Sequence, residues 1–463
     1  MNQGRIATIA ADGRYFTIDG RTRFLIGRTP TAGSLEGFTR HFEAAAAAGE
    51  RVVRVHVDHG CPHRSAEAGG PGEASRRRSP TLDPTARAGE VDAAWSDAWE
   101  RVIAAAEERG VWFVPVFSVW GNWNDSLHPP WHAWHLNPYN AANGGPAARP
   151  AELFGDTPCR RLFVEWLGEM VARWREHRNI LCWEVFSELD LVTGATDVSQ
   201  VVGFVERASA MIRERDPHRR PVTASLSGVT VWPELWRSEA IDVVQMHPYP
   251  GKWGSWDLMG MVASVAEQLE GYGKPVMIGE EGLDASPPTG RPDQLDRAHV
   301  GYRQAIWAAM MSGVCVGGMF WWISGYGPPE EGGARAAPMD GRHPGLARPA
   351  STFAERVDFS EMRRVGVATS EEVMALAMGD DKTIIGYARD NACVCPEWPA
   401  RQVSGEEAKI ATGWRGSARV TYYTPATLEV ISRGDLTVEG GLLRLELPTF
   451  SEDLVVRIER AGA

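Results

Sequence analysis

Eight short apolar runs, alternating with helical segments, constrain this chain more than anything else in it. The runs are "RFLIGR" (23–28), "RVVRVHV" (51–57), "VWFVPVF" (111–117), "ILCWEVF" (180–186), "RPVTASL" (220–226), "IDVVQMH" (241–247), "KPVMIGE" (274–280) and "VCVGGMFWW" (314–322). Segment 197–215 shows the helical counterpart, with Val198, Val201, Val202, Val205, Ala208, Met211 and Ile212 at helical spacing. Similar patterns predict helices near 35–48, 91–109, 159–176, 256–272, 293–312 and 350–362. This alternation is the signature of βα units around a parallel sheet. Eight units is the count that closes a (β/α)8 TIM barrel, whose functional face lies at the C-terminal ends of its strands. A doubly wound open sheet is the competitor, but no Gly-rich phosphate loop follows the first strand.

Around this core the pattern changes twice. "GRYFTIDGRTR" reads as a hairpin turning at Asp19-Gly20 and closing the barrel floor. After residue 365 the helices stop, and short alternating runs such as "KTIIGYARD" and "DLVVRIER" predict a small β-sandwich. The expected organisation is therefore a barrel with its hairpin over 1–365 and a C-terminal sandwich over 366–463, the latter packed against the barrel's side. Three loops, about 58–90, 118–158 and 323–349, are long enough to imply function. The second is rich in aromatic residues and reads as a binding wall that includes Trp120, Asn122 and Trp123.

Composition narrows the partners. A net charge of -12 over 463 residues argues against nucleic acid and anionic membrane surfaces. No apolar stretch reaches the roughly 18 residues of a membrane span. No basic segment followed by an apolar one opens the chain, so a cytoplasmic location is the expectation. Six cysteines do not make a disulfide scaffold; Cys182 and Cys315 read as core thiols, and the pair in "CVC" (393–395) has no second cluster to share a metal. The 19 tryptophans suit sugar stacking as well as core packing.

The chemistry is carried by acids at strand ends. "WEVFS" leads into Glu188 after strand four, and "VMIGEEG" ends strand seven at Glu280. Across a barrel mouth two such carboxyl groups, about 5–5.5 Å apart, make a retaining glycosidase pair. Arg54 on strand two is placed to hold a nearby carboxylate ionised. Strand six ends with His247 and Tyr249, and strand eight with Trp321 and Trp322, candidate floor residues under a sugar ring. Glu184 and Asp190 read as supports for Glu188, through Arg54 or a loop backbone.

Together, "FTIDGRTRFLIG", the strand-two arginine, "WEVFSE", "HPYP", "KPVMIGEEG" and "MFWW" resemble the retaining (β/α)8 glycoside hydrolases of clan A, most closely glycoside hydrolase family 5, over about residues 10–365. The resemblance implies Glu188 as acid/base and Glu280 as nucleophile, with Glu281 in the family's aromatic slot. It implies Arg54 and Tyr249 orienting the nucleophile, His247 lining the −1 subsite, and Trp321 or Trp322 as its platform. His56, Trp120, Asn122, Trp123 and Ser187 complete the expected substrate-binding set. One position departs: Ser187 stands where the family has the asparagine that binds the sugar 2-hydroxyl, and Asn122 or Asn124 is the candidate substitute.

"FSVWGNWND" and "HPYPGKWGSW" look like the corresponding loops of β-mannanases and β-mannosidases. The expectation is an exo-acting, β-mannosidase-like enzyme on β-linked oligosaccharides or glycosides, with no cofactor and an open question of oligomeric state. The alternatives are a β-glucosidase or β-galactosidase of the same clan, a non-catalytic carbohydrate-binding barrel, or a metal-dependent enzyme using His56, Asp58, His59 and His63.

Overall fold

The computed structural model describes residues 6–58, 81, 83–125, 133–228, 230–250, 256–283, 299–320, 343–394 and 401–462. Eight parallel strands close into a barrel: β1 (Leu25–Arg28), β2 (Val52–His56), β3 (Trp112–Val116), β4 (Trp183–Glu184), β5 (Val222–Ser227), β6 (Val243–His247), β7 (Val276–Ile278) and β8 (Val316–Gly317). Neighbours in sequence are neighbours in the barrel, and β8 pairs with β1. The ladders of β4 and β8 are shorter than the apolar runs that encode them. Single parallel bridges, Val119 to Ser187 and Glu281 to Phe320, carry the pairing onward to the mouth.

Helices α1 (Leu35–Ala48), α2 (Ala93–Glu108), α3 (Pro158–Trp174), α4 (Val198–Arg215), α5 (Pro233–Arg237), α6 (Leu258–Glu270), α7 (Val300–Met311) and α8 (His343–Ala354) complete the βα units. Five of them start where a side-chain oxygen takes a backbone N–H of the first turn: Ser34, Asp92, Thr157, Asp197 and Asp257. Two helices differ from expectation. α5 has five residues, too few to show a period, and starts on Pro233. α8 spans 343–354 rather than 350–362, with Pro349 inside it.

Inside and outside alternate along each barrel strand. On β4, Glu184 turns inward and Trp183 outward, where its ring stacks on Phe117, 5.9 Å between centroids. Phe117 also stacks on Trp174 and meets Trp166 edge-on, both from α3. Trp95, Trp99, Trp123, Trp166, Trp174, Trp183, Trp236 and Trp307 are fully buried. Much of the tryptophan content thus builds the shell between strands and helices.

The N-terminal segment forms a three-stranded antiparallel sheet whose second hairpin turns at Asp19 (φ 52°) and Gly20 (φ 74°). Two successive left-handed residues are the mark of a type I′ turn, as Asp-Gly predicts. At the other end, a six-stranded antiparallel sheet starts with Arg363–Val365, slightly before the expected boundary at 365/366. Its second layer is a three-stranded sheet of Val367–Ala368, Glu407–Ala411 and Leu442–Glu446.

Period two explains how this sandwich attaches. Ile384, Ala388, Val456 and Ile458 belong to the core between its two sheets. Their neighbours Ile385, Tyr387 and Val455 belong to the barrel's own core. One sheet therefore serves both domains. Arg303 of α7 pairs with Asp453 at 2.8 Å and with Glu452 at 2.7 Å, and Trp307 stacks on Tyr387. No helix among the described residues is long and apolar enough to cross a membrane.

Candidate active site

Arg54 is the hub of the barrel mouth. It sits fully buried on β2 and spends its guanidinium in three directions. Nε and Nη2 each donate to Glu184 at 2.6 Å, Nη1 donates to Glu280 at 2.6 Å, and Nη2 also reaches the Ser187 hydroxyl at 2.9 Å. The paired carboxylates push its pKa further up, against the effect of burial, so it is a fixed cation. Glu280 lies two residues beyond β7. Its other oxygen accepts the Tyr249 hydroxyl at 2.9 Å, and His56 Nε2 stands 3.4 Å from the first. A Cβ on Gly279 would fall 1.7 Å from the Gln245 side-chain oxygen, so any other residue there would force that buried side chain to move.

Glu188 reaches the same space from β4. Its backbone is left-handed (φ 59°, ψ 60°), a conformation costing about 1–3 kcal/mol for a residue with a Cβ and found at functional sites. Its Oε1 is 2.8 Å from His247 Nδ1, and the same nitrogen is 3.6 Å from Glu280 Oε2. Ligand atoms of Glu188, His247 and Glu280 all lie within 4.8 Å of one another. Burial pushes His247 down to about 4, Glu280 pulling the other way and Arg54 adding to the fall, so the imidazole is neutral around pH 7.

The supports are two separate devices. Glu184 chelates Arg54, as expected, and accepts the Ser225 hydroxyl at 3.1 Å. Asp190 accepts the Ser227 backbone N–H at 2.8 Å and its hydroxyl at 2.5 Å, pinning the turn after Glu188 to the end of β5. Ser225 was not legible as a site residue. A lone serine in an apolar strand carries no sequence signal.

The loop after β3 differs from the expected wall. Trp123 is fully buried, its N–H on the Ser118 hydroxyl and its ring against Trp134, Tyr139 and Phe163. Asn122 is 3% exposed and gives its amide N–H groups to Asp58 and Thr81, while Asn124 donates to the Leu191 carbonyl. Both asparagines thus hold loops together. Trp120 is half-buried against the core. Asp58, buried and accepting from Thr81, Asn122 and the Val119 N–H, is pushed up to about 7 by burial. Those contacts tie the loops after β2 and β3 together; of the residues offered as an alternative metal site, His56 and Asp58 are described and His59 and His63 are not. Trp321 and Trp322 also lie outside the described residues.

Glu281 is the other departure. In the slot that resemblance gives to an aromatic side chain, it is fully buried, with Oε1 taking the Gly318 N–H at 2.5 Å. Burial pushes it up to about 8, so it is a neutral acid around pH 7.

No family model matches the chain. A mannan endo-1,4-beta-mannosidase F from Aspergillus fumigatus is 26% identical over 203 residues, 39% of this chain and 43% of that protein. The chain thus spans less than half the length of this relative. A glycoside hydrolase family 5 structure from Bacteroides vulgatus superposes with a TM-score of 0.61 at 14% identity, covering 99% of this chain and 94% of the other. An exo-beta-1,4-mannosidase from an Opitutaceae bacterium gives 0.52 at 17% identity, over 75% and 63%. The likeness to glycoside hydrolase family 5 and the (β/α)8 barrel read from the sequence are borne out.

Proposed function

We propose that this chain is a retaining β-glycosidase that cleaves β-mannosides by double displacement, releasing single sugars from the ends of short oligosaccharides or glycosides. The observation that carries the reading is the approach of Glu188 and Glu280 to within 4.8 Å across the mouth. That approach suits a nucleophile and an acid/base acting on one anomeric carbon.

Glu280 accepts hydrogen bonds on both oxygens, from Arg54 and Tyr249, and faces the mouth as an acceptor-only carboxylate, the form that attacks carbon. Glu188 gives its proton to the leaving glycosidic oxygen as the C–O bond breaks and the Glu280–carbon bond forms. It then takes a proton from water, whose oxygen displaces Glu280 with a second inversion and so restores the β configuration. Mannoside preference is inferred from the loops after β3 and β6 and from the relatives named above, one endo-acting and one exo-acting.

The purified protein should release 4-nitrophenol from the aryl β-mannoside faster than from the β-glucoside, β-galactoside or arabinoside. Replacing Glu280→Ala should abolish turnover, and azide should restore part of it on a 2,4-dinitrophenyl β-mannoside, giving the α-mannosyl azide. Mannose as the first product from mannotriose supports end-directed cleavage, and mannobiose with internal cuts in longer chains refutes it. Saturable sugar binding with no turnover on any substrate would instead mark a non-catalytic barrel.

A further inference from the structure

We infer that Ser225 is a positioning residue for the acid/base, holding Glu188 in its left-handed turn and tying it through Glu184 and Arg54 to the nucleophile. The inference rests on the glycosidase reading above. Glu188's N–H has no place in the strand ladder, because the chain turns left-handed there; it donates instead to Ser225 Oγ at 3.0 Å. The Ser225 hydroxyl in turn donates to Glu184 Oε1 at 3.1 Å, and Arg54 donates to both Glu184 and Glu280. Every residue of this path is buried.

Chemistry fixes the direction of each proton along it. A backbone N–H and a guanidinium only donate, and a salt-bridged carboxylate only accepts. The single Ser225 proton therefore goes to Glu184, and its lone pair receives Glu188. Reversing any link would leave two donors or two acceptors face to face. The backbone of β5 is fixed as well, since the Ser225 N–H is bonded to the Phe186 carbonyl at 3.1 Å. Ser225 thus anchors the turn from a rigid strand, while His247 Nδ1 meets the Glu188 carboxyl group at 2.8 Å.

Without the hydroxyl, a buried N–H loses its acceptor at the most strained residue of the site. The Glu188 turn then relaxes, and the acid no longer meets the leaving oxygen. Loss of an acid matters only where the leaving group needs a proton. For Ser225→Ala we expect kcat/KM on methyl or phenyl β-mannoside to fall by about 10–100-fold, part of the roughly 10²–10⁴-fold that a well-placed acid supplies. On the 2,4-dinitrophenyl β-mannoside, whose leaving group departs unaided, it should stay within about 3-fold of the parent. Ser225→Thr, which keeps the hydroxyl, should restore the parent's dependence on leaving group. An equal loss on both substrates, or no loss on either, overturns the inference. Should Ser225→Ala not fold, Ser225→Cys, which keeps the volume with a weaker acceptor, is put through the same comparison. Inactivity of the parent on every glycoside would instead overturn the glycosidase reading beneath it.

Discussion

Glu281 shows what one residue can cost. Its carboxyl is wholly out of water, and among the described residues Oε2 has no hydrogen-bond partner. The unfolded group loses its proton near 4.5 and the folded one near about 8. Between those values the unfolded chain binds fewer protons than the folded one, so stability falls as pH rises. Glu281→Gln should remove this component. Its melting temperature should match the parent's near pH 4.5 and exceed it by several degrees at pH 8; a constant difference across that range would contradict the assignment. Ser187 is a second residue-scale departure. Its hydroxyl accepts from Arg54, so Ser187→Ala should disturb the hub, with a loss in kcat exceeding any change in KM.

At the scale of elements, the aromatic shell and the helix starts set stability. Phe117 is wedged among Trp166, Trp174 and Trp183 at the exit of β3. Phe117→Ala should cost about 3–5 kcal/mol in a urea unfolding experiment, through lost transfer energy and the cavity left behind. Asp257 does two jobs at the start of α6: it caps the Gly260 N–H at 2.9 Å and pairs with Arg389 of the sandwich. Asp257→Asn keeps the cap and loses the charge, while Asp257→Ala loses both. The difference between the two variants should be about 1 kcal/mol, the ordinary worth of a cap.

At the scale of the molecule, barrel and sandwich share a sheet and so should share an unfolding transition. Met378, Ile385, Tyr387 and Val455 lie in the barrel's core although they belong to the sandwich. Calorimetry should give one cooperative transition, and two well-separated ones would show that the shared face contributes little. Arg303 is a second charge at that junction besides Arg389, 8% exposed and facing Asp453 and Glu452. Arg303→Ala leaves the buried Asp453 carboxylate without its cation, the Tyr387 hydroxyl still donating to it, and should destabilise the chain by about 3 kcal/mol.

The sequence determined the barrel, the hairpin turn, the sandwich and the two glutamates, because those follow from local rules: apolar period, turn chemistry and an acid at a strand's end. Arg54 and Tyr249 were legible for the same reason, as polar residues interrupting or ending apolar runs. Tertiary structure alone decided which of the neighbouring groups serve the mouth and which serve the scaffold. Trp123 and Asn122 read as a binding wall, yet the packing of the loop after β3 turned both inward. Ser225 carries no signal within its strand, yet barrel closure brought its hydroxyl to the Glu188 N–H. Side chains on different strands meet only once the barrel has closed, and that meeting leaves no period, spacing or composition in the chain to read.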